Sequence, residues 1–411
     1  MGRGPFSARG VESRAVAGFS VRFLGCKVSY ADAQAIRERL LADGHTERAD
    51  AADVAVVNTC CVTHEAVRKS RHAAGRAART HRRVYVTGCG ANLAADGFAG
   101  LPENVVVVPR RSERTPDFVA GDVGAVGCVR ADARLERVRA FVKVQDGCSF
   151  SCAFCVIPFV RGESRSRRAA DVLREARRRV EQGHKEIVLT GINLGCYRDR
   201  EAGYTLPCLI RALGELPGLA RLRLSSIEVN HVNDELAAAL RETPAVARHL
   251  HVPLQSGDDD VLRAMGRRYN AATFLRRIAP LADFNVTTDV IVGFPGEDEP
   301  AFRRTLDLVG GAGISSVHVF PYSPRPGTKT AAADTVPLEV KRDRGERLRE
   351  LSRAASLERW RSKVGSEDVV LIDRPGRGYG DDYSPWLVRG EVGELVRARA
   401  REATEEGILA A

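Results

Sequence analysis

Three cysteines on one short stretch could do metal chemistry. In VKVQDGCSFSCAFCVIPFVRGESRSRR (142–168), Cys148, Cys152 and Cys155 form a C-x₃-C-x₂-C triplet directly after an alternating strand pattern with Phe141, Val142 and Val144 as its apolar members. Soft thiolates select iron–sulfur centres, zinc or Cu(I). The count matters, because three ligands on a four-iron cluster leave one iron free to bind something else. A structural zinc site is the plain alternative, and it needs a fourth ligand close by. The next histidine is His184 and the next cysteine is Cys196, so none is near.

A second set is scattered. Strand patterns at 19–25, 54–58 and 83–88 alternate with helical patterns at 31–44 and 64–80, an order that implies an open parallel sheet. Cys26, Cys60 and Cys89 each fall just beyond the carboxyl end of one of those strands. In such a sheet those ends share one edge, where ligands bind. The three thiols are therefore expected to meet as a second metal site. Cys61 then points away, and Cys128, Cys196 and Cys208 read as core or loop residues.

From Arg139 onward βα units repeat. Strand candidates at 141–145, 186–191, 221–226, 250–255, 285–295 and 316–323 alternate with helical patterns at about 170–182, 207–215, 234–242, 258–266, 273–282 and 299–310. Six units are too few for an eight-stranded barrel, so a partial, open-sided (β/α)6 barrel is expected. Barrel sites lie at the carboxyl ends of strands. Those ends here carry Thr190, Gly191 and Asn193, then Ser226 and Glu228, then Gln255, then Asp289 and Gly293 to Glu297. Such groups can hydrogen-bond an amine, a ribose or a carboxylate. Each alone also reads as a turn or cap, but together they indicate one large site.

The remainder bounds the setting. The 411 residues are 44% hydrophobic and 28% charged, as in ordinary globular proteins of two or three domains. The net charge of +10 favours a polyanion such as RNA, although an Arg-rich coding bias produces the same charge. No apolar run approaches the roughly 20 residues of a membrane helix. Residues 1–18 read as a disordered leader without the apolar core of a signal peptide, and the chain reads as cytoplasmic, where ten cysteines are unlikely to form structural disulfides. Residues 109–137 read as a linker. Residues 338–363 read as a basic helix with Leu348, Leu351 and Leu357 as apolar members, either solvated or facing RNA. Strand patterns from 369 to 400 suggest a small β-barrel.

These residues resemble the radical S-adenosylmethionine (SAM) enzymes, and the full pattern resembles their methylthiotransferase family. The marks are LGCKVSYADAQ (24–34), NTCCVT (58–63), TGCGANL (87–93), CSFSCAFCVIPFVRGESRSR (148–167), LTGINLGCY (189–197), LRLSSIE (222–228), HLHVPLQSG (249–257), TDVIVGFPGE (288–297) and FPYSPRPGT (320–328). RGESRSR (161–167) and SPRPGT (323–328) look most like the branch acting on threonylcarbamoyladenosine beside the tRNA anticodon, position 37. The relatives acting on isopentenyladenosine or on a ribosomal-protein aspartate are the alternatives, and a zinc-stabilised RNA-binding protein is the non-enzyme one. Ser29, Cys61, Asn92 and Asn193 depart from residues frequent in the family, and none of these departures removes a cluster ligand.

The resemblance implies an α/β chain in the order leader (1–18), methylthiotransferase domain (19–125), radical SAM domain (138–335), linker helix (338–363) and TRAM-like RNA-binding barrel (364–411). It implies two 4Fe-4S clusters, one on Cys26, Cys60 and Cys89 and a SAM-binding one on Cys148, Cys152 and Cys155. Thr190, Gly191, Asn193, Ser226, Glu228 and Gln255 become candidates for SAM contacts, and Arg161, Arg165 and Arg167 for contacts to RNA phosphate or the threonyl carboxylate. The implied partners are a tRNA anticodon stem-loop, an electron donor such as a flavodoxin or ferredoxin, and a sulfur donor, with a monomeric enzyme and no membrane.

Overall fold

A computed structural model describes residues 17–48, 52–93, 95–109, 115–124 and 137–411. Most of the expected leader, parts of the expected 109–137 linker, and Cys128 lie outside the described residues. The chain divides into two compact units, residues up to 61 with 65–134, and residues 62–64 with 135–411.

The first unit is an open sheet built of β1 (Gly18–Phe23), β2 (Thr46–Glu47), β3 (Val54–Thr59), β4 (Arg83–Gly88) and β5 (Val105–Val107), in the order β2-β1-β3-β4-β5. All its pairings are parallel. Every residue of β3 is buried, as expected for a Val-rich central strand covered on both faces. Helices α1 (Lys27–Ala42) and α2 (His64–Thr80) follow β1 and β3, and a one-turn helix, α3 (Cys89–Leu93), follows β4. Inside the expected linker the chain instead forms α4 (Thr115–Val123), whose Val119 and Ala120 join a core with Ile36, Leu40 and Val56. Its nine residues are too short for helical periodicity to stand out beside Gly and Pro.

The second unit carries six parallel strands in sequential order. They are β6 (Arg139–Lys143), β7 (Glu186–Thr190), β8 (Arg221–Leu224), β9 (His249–His251), β10 (Asn285–Val292) and β11 (Ser316–Pro321). The bridges Leu222 to Val246 and Ser226 to His251 join the two three-stranded halves, so the expected open (β/α)6 wall is present. Residues such as Ile187, Leu189, Leu222, Leu224, Leu250 and Val290 pack its core. Asn233, Asp258, Asn270 and Asp298 cap the helices that follow by accepting from Leu236, Val261, Thr273 and Ala301 N–H.

Helix α5 (Leu338–Ser362) is neither simply solvated nor free to face a partner along its whole length. Lys341 and Arg344 are buried, with Arg344 donating to Glu297 at 2.8 Å and Lys341 paired with Asp334. Its Ser352 accepts from Val317 N at 2.8 Å, which fastens the helix to β11. The final segment is a closed barrel of β12 (Glu367–Arg374), β13 (Arg377–Tyr379), β14 (Pro385–Leu387), β15 (Leu395–Thr404) and β16 (Gly407–Ala410), with Val370, Ile372, Trp386 and Ile408 inside. It docks at the amino-terminal ends of β7 and β8, where Arg221 donates to Tyr379 O and Arg223 to Asp381 O, each at 3.2 Å.

Candidate functional site

In the first unit, β1, β3 and β4 are neighbours running the same way, so their carboxyl ends share one edge. Cys26 lies three residues past β1, at the start of α1, while Cys60 and Cys89 follow β3 and β4 directly. Two glycines let the loops touch. A Cβ on Gly25, whose φ is +122°, would sit 3.3 Å from Cys60 Sγ, and one on Gly90 would sit 2.7 Å from Thr59 Oγ1. Cys26 is exposed, Cys60 and Cys89 are buried, and the Cys60 N–H donates to Ser70 Oγ at 3.1 Å. Cys26 is the residue that precedes the first turn of the 16-residue α1.

In the second unit, the loop after β6 carries Cys148, Cys152 and Cys155, all half-buried. Gln145 fixes that loop. Its Nε2 donates to Gly147 O at 2.8 Å and to Ser164 Oγ at 2.9 Å, while its Oε1 accepts from Asn193 N at 2.8 Å. Gly191 leaves room for it, since a Cβ there would lie 3.0 Å from Gln145 Oε1. Burial pushes the Cys148 thiol up and the Cys155 thiol up to about 12, so both favour the neutral form unless a cation compensates. One is present in Arg267, whose Nη1 lies 3.5 Å from Cys152 Sγ and whose Nη2 lies 3.6 Å from Glu228 Oε1. Burial alone would depress this guanidinium, but Tyr269, Cys152 and Glu228 outweigh it and hold it protonated.

These thiols fit a multi-iron group better than one zinc ion. Each triplet offers sulfur donors alone, the soft set that selects iron–sulfur clusters. The other expected residues line the same end of the barrel. Thr190 Oγ1, Asn193 Oδ1 and Ser225 Oγ are buried with no hydrogen-bond partner. The Asn193 side chain also hydrogen-bonds Cys148 and partly counters the effect of burial there. Ser226 bridges to His251, and Glu228 accepts from Asn230 N and Nδ2 at 3.0 Å each, so much of its carboxylate is already occupied. Gln255, with a left-handed φ of 70°, and Asp289 line a cavity of about 190 Å³ together with Cys155, Phe154, Phe320 and Tyr322.

The expected arginine set divides. The Arg161 side chain is fully buried and pairs with Asp146 at 2.9 Å, and Arg167 donates to Lys143 O and to Glu175 at 2.7 and 2.6 Å. Both are committed to contacts within the chain, which removes Arg161 from contact with RNA; only Arg165 of the three is exposed. Gln145 and Arg267 were missed because each acts across more than 40 residues of sequence, with no local spacing to mark it.

Residues 142–309 match the Radical SAM superfamily, and residues 19–108 match the Uncharacterized protein family UPF0004. The chain is 34% identical, over 95% of its length and 95% of the relative, to the threonylcarbamoyladenosine tRNA methylthiotransferase MtaB of Thermotoga maritima. It is 35% identical to the Bacillus subtilis protein of the same name, with 92% of this chain and 93% of that one covered. It is also 35% identical to the tRNA-2-methylthio-N(6)-dimethylallyladenosine synthase of Cereibacter sphaeroides, covering 92% of this chain and 94% of that one. Among solved structures, the radical SAM methyltransferase TsrM from Kitasatospora setae shares the fold at a TM-score of 0.58 and 14% identity, over 77% of this chain and 75% of that one.

Proposed function

The chain belongs to the radical SAM methylthiotransferase family, and from that premise we propose that it adds a methylthio group to C2 of N6-threonylcarbamoyladenosine at position 37 of tRNA. The observation that carries this reading is the 34% identity over 95% of the chain with a threonylcarbamoyladenosine tRNA methylthiotransferase. The cofactors are SAM and 4Fe-4S clusters. Cys148, Cys152 and Cys155 would hold the SAM-binding cluster, and Cys26, Cys60 and Cys89 the second. Bound there, a cluster with an open iron supplies the electron that cleaves the SAM sulfonium.

This chain's residues then bind, orient and shield. Gln145 and Asn193 set the cluster loop against β7, and Arg267 offsets the charge of the thiolates. Thr190, Asn193 and Ser225 offer buried polar atoms to a ligand, while Phe154 and Phe320 give the cavity an apolar wall. The closed carboxyl-terminal barrel and the net charge of +10 suit an anticodon stem-loop held mainly through phosphate. A flavodoxin or ferredoxin would supply electrons, a separate donor the sulfur, and the enzyme would act as a monomer in the cytoplasm.

Anaerobic reconstitution with iron and sulfide, followed by turnover on tRNA bearing threonylcarbamoyladenosine, tests the reading by nucleoside mass spectrometry. A gain of the methylthio form of that nucleoside is expected. The same gain on dimethylallyladenosine instead would move the assignment to the other branch, and bound zinc without iron or sulfide would overturn it.

A further inference from the structure

The sheet register gathers three ligand atoms that neither cysteine triplet uses. In β9 and β10, His251 is the Cα partner of Thr287, so Asp289, two residues on, projects from the same face of the pleat. In β10 and β11, Asp289 is the Cα partner of His318, which brings the second imidazole directly opposite. The three side chains therefore converge through backbone pairing of three strands, not through loop placement. Asp289 Oδ1 lies 3.1 Å from His251 Nε2 and 3.2 Å from His318 Nδ1, and all three ligand atoms lie within 4.8 Å of one another.

We propose that His251, Asp289 and His318 form a binding site for one divalent first-row transition-metal ion, separate from both cysteine triplets. An ion bound at about 2.0–2.1 Å, with ligand angles between tetrahedral and octahedral values, spaces its donors about 2.8–3.4 Å apart. Both separations fall in that range. Two imidazoles and one carboxylate on one side of an ion leave coordination positions open on the other, the pattern of two-His-one-carboxylate sites. The donor set contains no sulfur, so it selects Zn²⁺ or Fe²⁺ as an isolated ion where the cysteine triplets select clusters. The outer partner is in place as well. His251 Nδ1 lies 2.9 Å from Thr287 Oγ1, which orients the ring so that Nε2 points at Asp289. Asp289 also lines the cavity that reaches Cys155, so the open positions adjoin that space.

The proposal does not rest on the methylthiotransferase reading, and its test is read without turnover. Holoprotein is reconstituted anaerobically so that iron occupies the cysteines, equilibrated with Zn²⁺, desalted and measured by mass spectrometry for zinc, iron and sulfide. About one zinc per chain, with a nitrogen and oxygen shell in X-ray absorption at the zinc edge, is expected. His318→Ala should weaken zinc binding at least about 100-fold with iron unchanged, and Thr287→Val about 10- to 100-fold. His318 is 64% exposed, so its truncation leaves the fold intact. Zinc absent from the wild-type protein, zinc retained equally by His318→Ala, or a sulfur shell would each overturn the proposal and leave the cluster assignments standing.

Discussion

The two ends of β7 and β8 solve opposite problems with similar residue types. At their amino-terminal ends Glu186 lies between Arg221 at 3.2 Å and Arg223 at 2.9 Å, all three almost fully buried. The guanidiniums spend their remaining donors on carbonyls of Val369, Tyr379, Gly380 and Asp381 in the small barrel. At the carboxyl ends the same strands finish beside Thr190 and Ser225, whose hydroxyls are buried without partners. An unsatisfied buried polar group costs about 1–3 kcal/mol. One end is thus closed on itself, and the other keeps buried polar atoms unpaired. Each end also holds a non-glycine residue at positive φ, Tyr383 at 67° and Gln255 at 70°. Tyr383 is clamped by Arg223 over its ring at 4.5 Å and by Arg139 on its hydroxyl at 3.0 Å, whereas Gln255 lines the cavity. Such strain persists only where surroundings enforce it, and at the open end it presents a side chain to the space a ligand would fill.

The contrast breaks most visibly if chemistry and stability fail to separate. Cys152→Ala should drop SAM cleavage to background, read as 5′-deoxyadenosine by chromatography, and cut cluster iron to about half, since one of two clusters loses a ligand. Its unfolding free energy should change by less than about 1 kcal/mol, because the half-buried thiol packs little. Persistent 5′-deoxyadenosine would remove Cys152 from the ligand set. Glu186→Gln should do the reverse. Breaking a buried ion pair by removing one charge costs about 3–5 kcal/mol in denaturant titrations. Cleavage per folded molecule should stay unchanged, because Glu186 lies at the far end of its strand. A loss of cleavage at full folding would show that the ends are coupled.

Sequence legibility follows the same division. Helix α2 and strand β4 fall where their periodicity places them, at His64–Thr80 and Arg83–Gly88. Cys26, Cys60 and Cys89 could be read as sharing an edge because a parallel sheet puts all carboxyl ends on one side. What escaped was long-range. The Glu186 to Arg223 pair spans 37 positions, and Arg267 meets Cys152 across 115, so neither leaves a local pattern. His251, Asp289 and His318 converge only through strand register, which hydrophobic alternation does not fix between neighbouring parallel strands. Arg161 and Arg167 sit in a basic run that suggests an RNA surface, yet their charges neutralise Asp146 and Glu175. Composition cannot separate a buried pair from a solvated patch.

Acid sharpens the comparison by a smaller amount. Burial alone would raise the Glu186 carboxyl, but Arg223 and then Arg221 outweigh it and hold it below its ordinary 4.5. A depressed folded value means that the stabilisation is fully present above 4.5 and is lost as pH falls through the folded value. Denaturation midpoints measured from neutral pH into that acid range should therefore fall for the wild-type chain more steeply than for Glu186→Gln, and the gap between them should narrow. A constant gap would mean that the carboxylate charge is not what the two arginines stabilise.

The smallest effect is the most discriminating, because it should improve one property at the expense of another. Thr190→Val keeps the shape and β-branching that suit the end of β7 while deleting a hydroxyl that has no partner. At a closed structural end, losing a buried hydroxyl would also lose a hydrogen bond and destabilise the chain. At an end held open for a ligand, it removes a desolvated donor that nothing repays until the ligand arrives. Unfolding free energy without ligand should therefore rise by about 1 kcal/mol. Equilibrium binding of SAM to the reconstituted protein should weaken about fivefold, the same energy expressed as affinity. Lower stability together with unchanged SAM binding would place Thr190 in the packing, and the two ends of the barrel would then differ in degree and not in purpose.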